Sequence, residues 1–211
     1  MRLLRHVLTA ALALGLTAQS VSARSFAGAP PAAASNVERV EATQRARLKK
    51  LLAARRARNV KAFTAYVANQ RYPENHIVDG EINIWIDDEG RRCAAAQMIW
   101  ASGAKVLVEQ QAAEDNLIRL ANVTEGPLLD WILTSGLTHD EVVLIQRPFR
   151  RPPHEVDTLI DARAQIRAEM TRKYQGILAE LARTTDDSLD AAVDTLMEHP
   201  DLVAKVLRAK R

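Results

Sequence analysis

The sequence predicts a mainly α fold: a helical domain with one small β element, flanked by long helices. Three observations predict it. Apolar residues recur at helical spacing over two long stretches, one on either side of residues 72–148. Only one stretch, Ile82-Asn83-Ile84-Trp85-Ile86, alternates as a strand does. Glycine and proline punctuate the middle of the chain at intervals suited to short helices.

Residues 1–23 read as a secretory signal peptide. Arg2 and Arg5 give a positive start, Val7 to Val21 is almost wholly apolar, and Val21-Ser22-Ala23 puts small residues where a signal peptidase cuts. The run is shorter than the roughly 20 apolar residues that span a bilayer. The expected address is the periplasm or the exterior of a bacterial cell. Residues 24–35, with Gly28, Pro30 and Pro31, read as a flexible leader.

Ser35 or Asn36 then suits a helix N-cap, with Glu38 in the first turn. Val37, Val40, Leu48, Leu51, Leu52, Phe63 and Val67 continue at helical spacing, so one long basic helix fills most of 36–71 and stops before Tyr72-Pro73. Within 72–148 we expect a compact acidic helical domain. Pro73–Gly80 is a polar loop, Ile82–Ile86 a short strand, and Asp87–Gly90 a turn. The strand needs a partner, sought in the loop before it or just after the turn. Helices follow over Arg91–Ala101, around Val106–Ala112, and over Leu128–Leu133. Thr138 and Glu141 have capping-box spacing and start a helix that runs to Gln146.

Residues 149–211 form a helical C-terminal segment. Pro148, Pro152 and Pro153 with Arg147, Arg150 and Arg151 read as a stiff basic linker. Val156 to Leu181 marks an amphipathic helix over about 155–183, and two short helices, Leu189–Met197 and Leu202–Leu207, divide at Pro200.

Charge and cysteine count narrow the function classes. The chain has 29 Lys plus Arg and 26 Asp plus Glu, giving a net charge of +3, and Arg2 and Arg5 of the signal peptide account for two of those charges. So balanced a chain does not read as a general nucleic-acid binder. With one cysteine, neither an internal disulfide nor a multi-cysteine metal site can form. The distribution is more informative than the total. Arg45, Arg47, Lys49, Lys50, Arg55, Arg56, Arg58 and Lys61 follow one another without an acid, whereas acids dominate Tyr72 to Gln146. Such opposed fields favour docking of the helix on the body, or binding to an external anionic surface. The bases are spread around much of the helix, and no aromatic residue lies among them.

Asp87-x-x-Gly90-x-x-Cys93-Ala94-x-x-Gln97, then Trp131-Ile132, Gly136-Leu137-Thr138-x-x-Glu141 and Ile145-Gln146, form an ordered set over about Tyr72–Pro148. This set resembles a family of uncharacterised exported bacterial proteins. The resemblance implies export and a domain boundary, and no activity. Cys-Ala-Ala-Ala and Gln-Arg-Pro-Phe stand here where that pattern has Cys-Ala-Val-Gly and Gln-Pro-Ser-Tyr.

Candidate sites are few. Cys93 could act as a nucleophile if Arg91, Arg92 and a helix start lowered its pKa, with His76 as base and Asp79 as orienting carboxylate. A buried thiol that only packs is the commoner fate of a lone cysteine. Asp87, Asp88 and Glu89 are oxygen donors of the kind Ca²⁺ takes, but lack EF-hand spacing, and a solvated turn is the simpler reading. No phosphate loop, nucleophile elbow, zinc-protease motif or cofactor fingerprint occurs. The expectation is an exported protein without a cofactor that binds or scaffolds at the cell envelope. The alternatives are a Cys93-dependent envelope enzyme and a binder of anionic lipids or polymers through the basic helix.

Overall fold

A computed structural model describes residues 34–152 and 156–209. The signal-peptide stretch, residues 24–33 of the leader, and Pro153 of the linker lie outside the described residues. The described chain is mainly α, with eight α-helices and one two-stranded sheet. The helices are α1 (Ala34–Asn69), α2 (Ala94–Ala101), α3 (Lys105–Glu114), α4 (Gly126–Thr134), α5 (His139–Ile145), α6 (Val156–Arg183), α7 (Thr185–Met197) and α8 (Pro200–Arg208). None of the described helices is long and apolar enough to cross a membrane.

The long helix α1 is the spine, and α2, α6, α7 and α8 all pack against it. At 36 residues it is about 54 Å long at 1.5 Å per residue. It begins at Ala34, ahead of the expected cap. Asn36 instead accepts from Arg39 Nη2 at 2.9 Å. It ends as expected before Tyr72-Pro73, with Gln70 in the left-handed region (φ 50°) and its amide donating to the Tyr66 carbonyl at 3.2 Å.

Two apolar cores lie along this spine. The C-terminal half of α1 supplies Phe63, Tyr66 and Val67 to a core shared with α2, α5 and α6. Phe63, Tyr66, Tyr72 and Tyr174 meet there at ring-centroid separations of 5.2–5.7 Å, mostly edge to face, a favoured aromatic geometry. Ala94, Ala95 and Ala96 are fully buried, and their small side chains let α2 lie close to its neighbours. The N-terminal half supplies Leu48 and Leu52 to a second core with Leu133 of α4, Leu189, Val193 and Leu196 of α7, and Val203 and Val206 of α8.

The β element differs from the sequence expectation. β1 is only Glu81–Ile82, and its partner is β2, Phe149–Arg150, from the segment expected to be a bare linker. Buried Asn75 makes this pairing possible. Its Nδ2 donates to the carbonyls of Val78, Gly80 and Phe149, and its Oδ1 accepts from the amides of Ile77 and Val78. Ile84 to Ile86 is not a continuing strand, because Ile84 and Trp85 are both buried and no solvent face alternates. Asn116 takes the place of a neighbouring strand: it accepts from the Ile86 amide at 3.0 Å and donates to the Ile86 carbonyl at 2.7 Å. Beyond the turn, Ile86 makes a lone bridge with Arg92. Helix α2 starts at Ala94 rather than Arg91, since Cys93 is its N-cap.

At Gly136 the body comes up against the backbone of α1. The φ of Gly136 is +83°, and a Cβ there would fall 2.2 Å from the Leu52 carbonyl oxygen and 2.8 Å from the Arg56 nitrogen. Backbone therefore sits on backbone, which only glycine permits. Gly136→Ala should cost at least about 2 kcal/mol from strain and displacement together. Gly176→Ala, with open space around an exposed position of α6, should instead gain up to about 1 kcal/mol. Urea unfolding midpoints of the two variants check this opposite pair of outcomes.

Candidate functional site

The sequence-derived candidates separate cleanly in space. Cys93 is 1% exposed, and its Sγ accepts from the Ala96 amide at 3.4 Å as the cap of α2. Burial pushes the thiol up to about 12, outweighing the Ala96 and Ala95 amides that favour the thiolate. The neighbouring arginines do not lower it as the sequence suggested. Arg91 donates through Nε to Asp87 at 2.6 Å and lies 3.1 Å from Glu74, while Arg92 stacks 3.6 Å above the Trp100 ring. His76 is 43% exposed with Nε2 3.6 Å from Glu74, and Asp79 pairs with Arg151 at 3.1 Å. Cys93, His76 and Asp79 therefore make no nucleophile–base–carboxylate chain.

The acidic turn is built around Asp87. Its carboxylate accepts from the amides of Glu74, Glu89 and Arg91 and from Arg91 Nε. Four donors occupy the acceptor sites a cation would need. Asp88 and Glu89 are exposed beside it. Among the described residues, no three His, Cys, Asp or Glu side chains gather as metal ligands.

The basic helix carries the most organised constellation. Apart from Arg55, which lies between them, its bases fall into two sets on opposite sides of α1. The inward set is Arg45, Lys49 and Arg56. Arg45 pairs with Asp194 and Lys49 with Asp190 at 2.6 Å, both on α7, so this end docks on the C-terminal segment rather than on the acidic body. Arg56 is 3% exposed and clamps Glu141 with two bonds of 2.7 Å. The same guanidinium donates to the carbonyls of Gly136 at 3.3 Å and Leu181 at 2.8 Å. Arg55 and Asn59 donate to the Thr134 and Ser135 carbonyls, each at 2.9 Å. Side chains of α1 thus take three successive carbonyls at the end of α4, where no helical amide remains to pair them.

The outward set is Arg47, Lys50, Arg58 and Lys61, all exposed. These positions, with Ala54 between them, recur at steps of three or four and make one stripe about 21 Å long. Arg47 donates to the Leu207 carbonyl at 3.2 Å. Lys50, Arg58 and Lys61 have no ion pair among the described residues. Beside the stripe runs a groove of about 650 Å³ between α1 and α8, lined by Leu51, Ala54, Val206 and Leu207 and edged by Arg47, Lys50, Arg55, Arg58 and Arg208. A second hollow of about 390 Å³ shares Arg55 and Arg58 and reaches Trp131. No acid lines either one. Burial, and then the charge of Arg58, lower the Arg55 pKa.

Sequence spacing placed the bases on the helix but not on its sides. The contribution of α8, about 150 residues away, had no local signal. Comparison with protein-family models, with curated proteins and with solved structures finds no match to this chain.

The clamp has a pH signature. Burial alone would raise Glu141, but hydrogen bonds from Arg56, the Thr138 amide and Ser188, with the Arg56 charge, hold its carboxyl below the usual range. A carboxyl depressed on folding contributes stability above its unfolded value, near pH 4.3, and loses it as pH falls through the lower folded value. Glu141→Gln should therefore be less stable than the natural protein at pH 7, and the gap should narrow as pH falls below about 4. Thermal melts from pH 7 to 3 measure it.

Proposed function

We propose that this is an exported, non-enzymatic binding protein that docks on an anionic lipid surface through the outward face of α1. One observation carries the reading: four exposed bases aligned on a single helical face, beside an apolar groove that no acid lines. Bases on such a face contribute about 1 kcal/mol each near an anionic leaflet. The groove between α1 and α8 adds apolar contact at the depth where headgroups meet acyl chains. The signal peptide read in residues 1–23 supports an envelope location, and the resemblance to exported bacterial proteins is part of the same proposal. The packed, capping role of Cys93 speaks against thiol catalysis.

Flotation with vesicles tests the proposal. The protein, expressed with its own leader and purified, should float with vesicles containing 30% phosphatidylglycerol and not with pure phosphatidylcholine. Raising salt from 50 to 300 mM should weaken binding by about tenfold or more. Lys50→Gln, Arg58→Gln and Lys61→Gln combined should weaken it by about 100-fold. Equal binding by the triple variant would overturn the reading, as would turnover of any substrate that Cys93→Ala or His76→Ala abolished.

A further inference from the structure

A separate cleft, of about 280 Å³, opens where the end of α1, the turn at Glu89–Arg91, β2 and the middle of α6 converge. Its lining holds five arginines, Arg71, Arg91, Arg150, Arg163 and Arg167, against two acids, Glu74 and Glu89, and contains no lysine. Arg71 and Arg167 are exposed and carry no ion pair among the described residues. Glu74 is a half-buried hub that positions two of the others. Its carboxylate lies 3.1 Å from Arg91 Nη1 and 3.2 Å from Arg163 Nε. The end of α1 adds only about half a negative charge. Arg91 is also held by Asp87 at 2.6 Å and Glu89 at 3.4 Å, and Arg150 faces Glu81 at 3.8 Å, so the unpaired positive charge of the cleft is that of Arg71 and Arg167.

Two further features define the occupant. Guanidinium forks match phosphate oxygens in pairs, which the point charge of lysine does not. A phosphate monoester carries about −1.5 to −2 at pH 7, which matches the two unpaired guanidiniums of Arg71 and Arg167 better than a single carboxylate does. The floor is apolar, with Phe149 and Met170 buried and Ile166 half-buried beside them. The volume lies at the small end of the range for ligand sites. We infer that this cleft binds the phosphate monoester of a small amphipathic ligand, phosphate on Arg71, Arg163 and Arg167, and apolar group on Phe149, Ile166 and Met170. The site is separate from the outward face of α1 and does not depend on lipid docking there.

Calorimetric titration of the full chain with phenyl phosphate, inorganic phosphate and phenol tests it. Phenyl phosphate should bind with a Kd below about 1 mM and at least about tenfold more tightly than inorganic phosphate, and phenol should not bind. Arg71→Gln and Arg167→Gln, both at exposed positions, should each weaken phenyl phosphate by about tenfold without lowering the melting temperature. The Lys50/Arg58/Lys61 glutamine variant should bind it unchanged. Displacement by monomeric dihexanoyl phosphatidic acid assigns the site to a lipid headgroup, and failure to displace assigns it to a soluble ester. No heat with phenyl phosphate, equal affinity for inorganic phosphate, or indifference to both arginine substitutions would overturn the inference.

Discussion

One guanidinium, that of Arg56, holds three parts of the chain together. It meets the end of α4 through the Gly136 carbonyl, the last turns of α6 through the Leu181 carbonyl, and the start of α5 through Glu141. Two helix C-termini converge there, each with carbonyls left unpaired by its own helix and a partial negative charge. A buried cation is costly unless such partners surround it. Glu141 is committed in the same way, because it also accepts from the Thr138 amide and closes the capping box of α5. Neither group could be removed without stranding the other. The clamp falls on α1 between Leu52, which enters one apolar core, and Phe63, which enters the other.

This position explains how the charges of α1 are arranged. With Arg56 turned inward and Gly136 seated on the helix backbone, the rotation of α1 about its axis is fixed. Arg45 and Lys49, eleven and seven residues earlier, then fall on the same side and reach the acids of α7. Arg47, Lys50, Arg58 and Lys61 are left on the far side, away from any carboxylate partner. The outward field is a by-product of an inward clamp. It stays positive because α8 closes that edge with Val206, Leu207 and Arg208 rather than with acids.

Much of the helical architecture was readable because it rests on local rules. The capping box at Thr138, the stop before Tyr72-Pro73 and the division at Pro200 each depend on neighbours in sequence. What was not readable depends on partners far away. β1 pairs with a segment nearly 70 residues later, and buried Asn75, an ordinary polar residue in sequence, arranges that pairing. Ile82–Ile86 alternates like a strand, yet Trp85 is pulled into the core, where its Nε1 donates to the Val108 carbonyl. The inward and outward bases look alike in a list of residues, and only Gly136 and Glu141, some 80 residues on, decide between them. The arginines of the Glu74 cleft come from four separate segments and leave no motif.

A double-mutant cycle on Arg56→Met and Glu141→Leu measures the clamp directly. Each single change strands a buried partner and should cost about 3–5 kcal/mol in urea unfolding. The double variant should lose less than the sum, with a coupling of about 2 kcal/mol or more. Additivity within about 0.5 kcal/mol would contradict the account, since α1 would then be oriented by its apolar contacts alone.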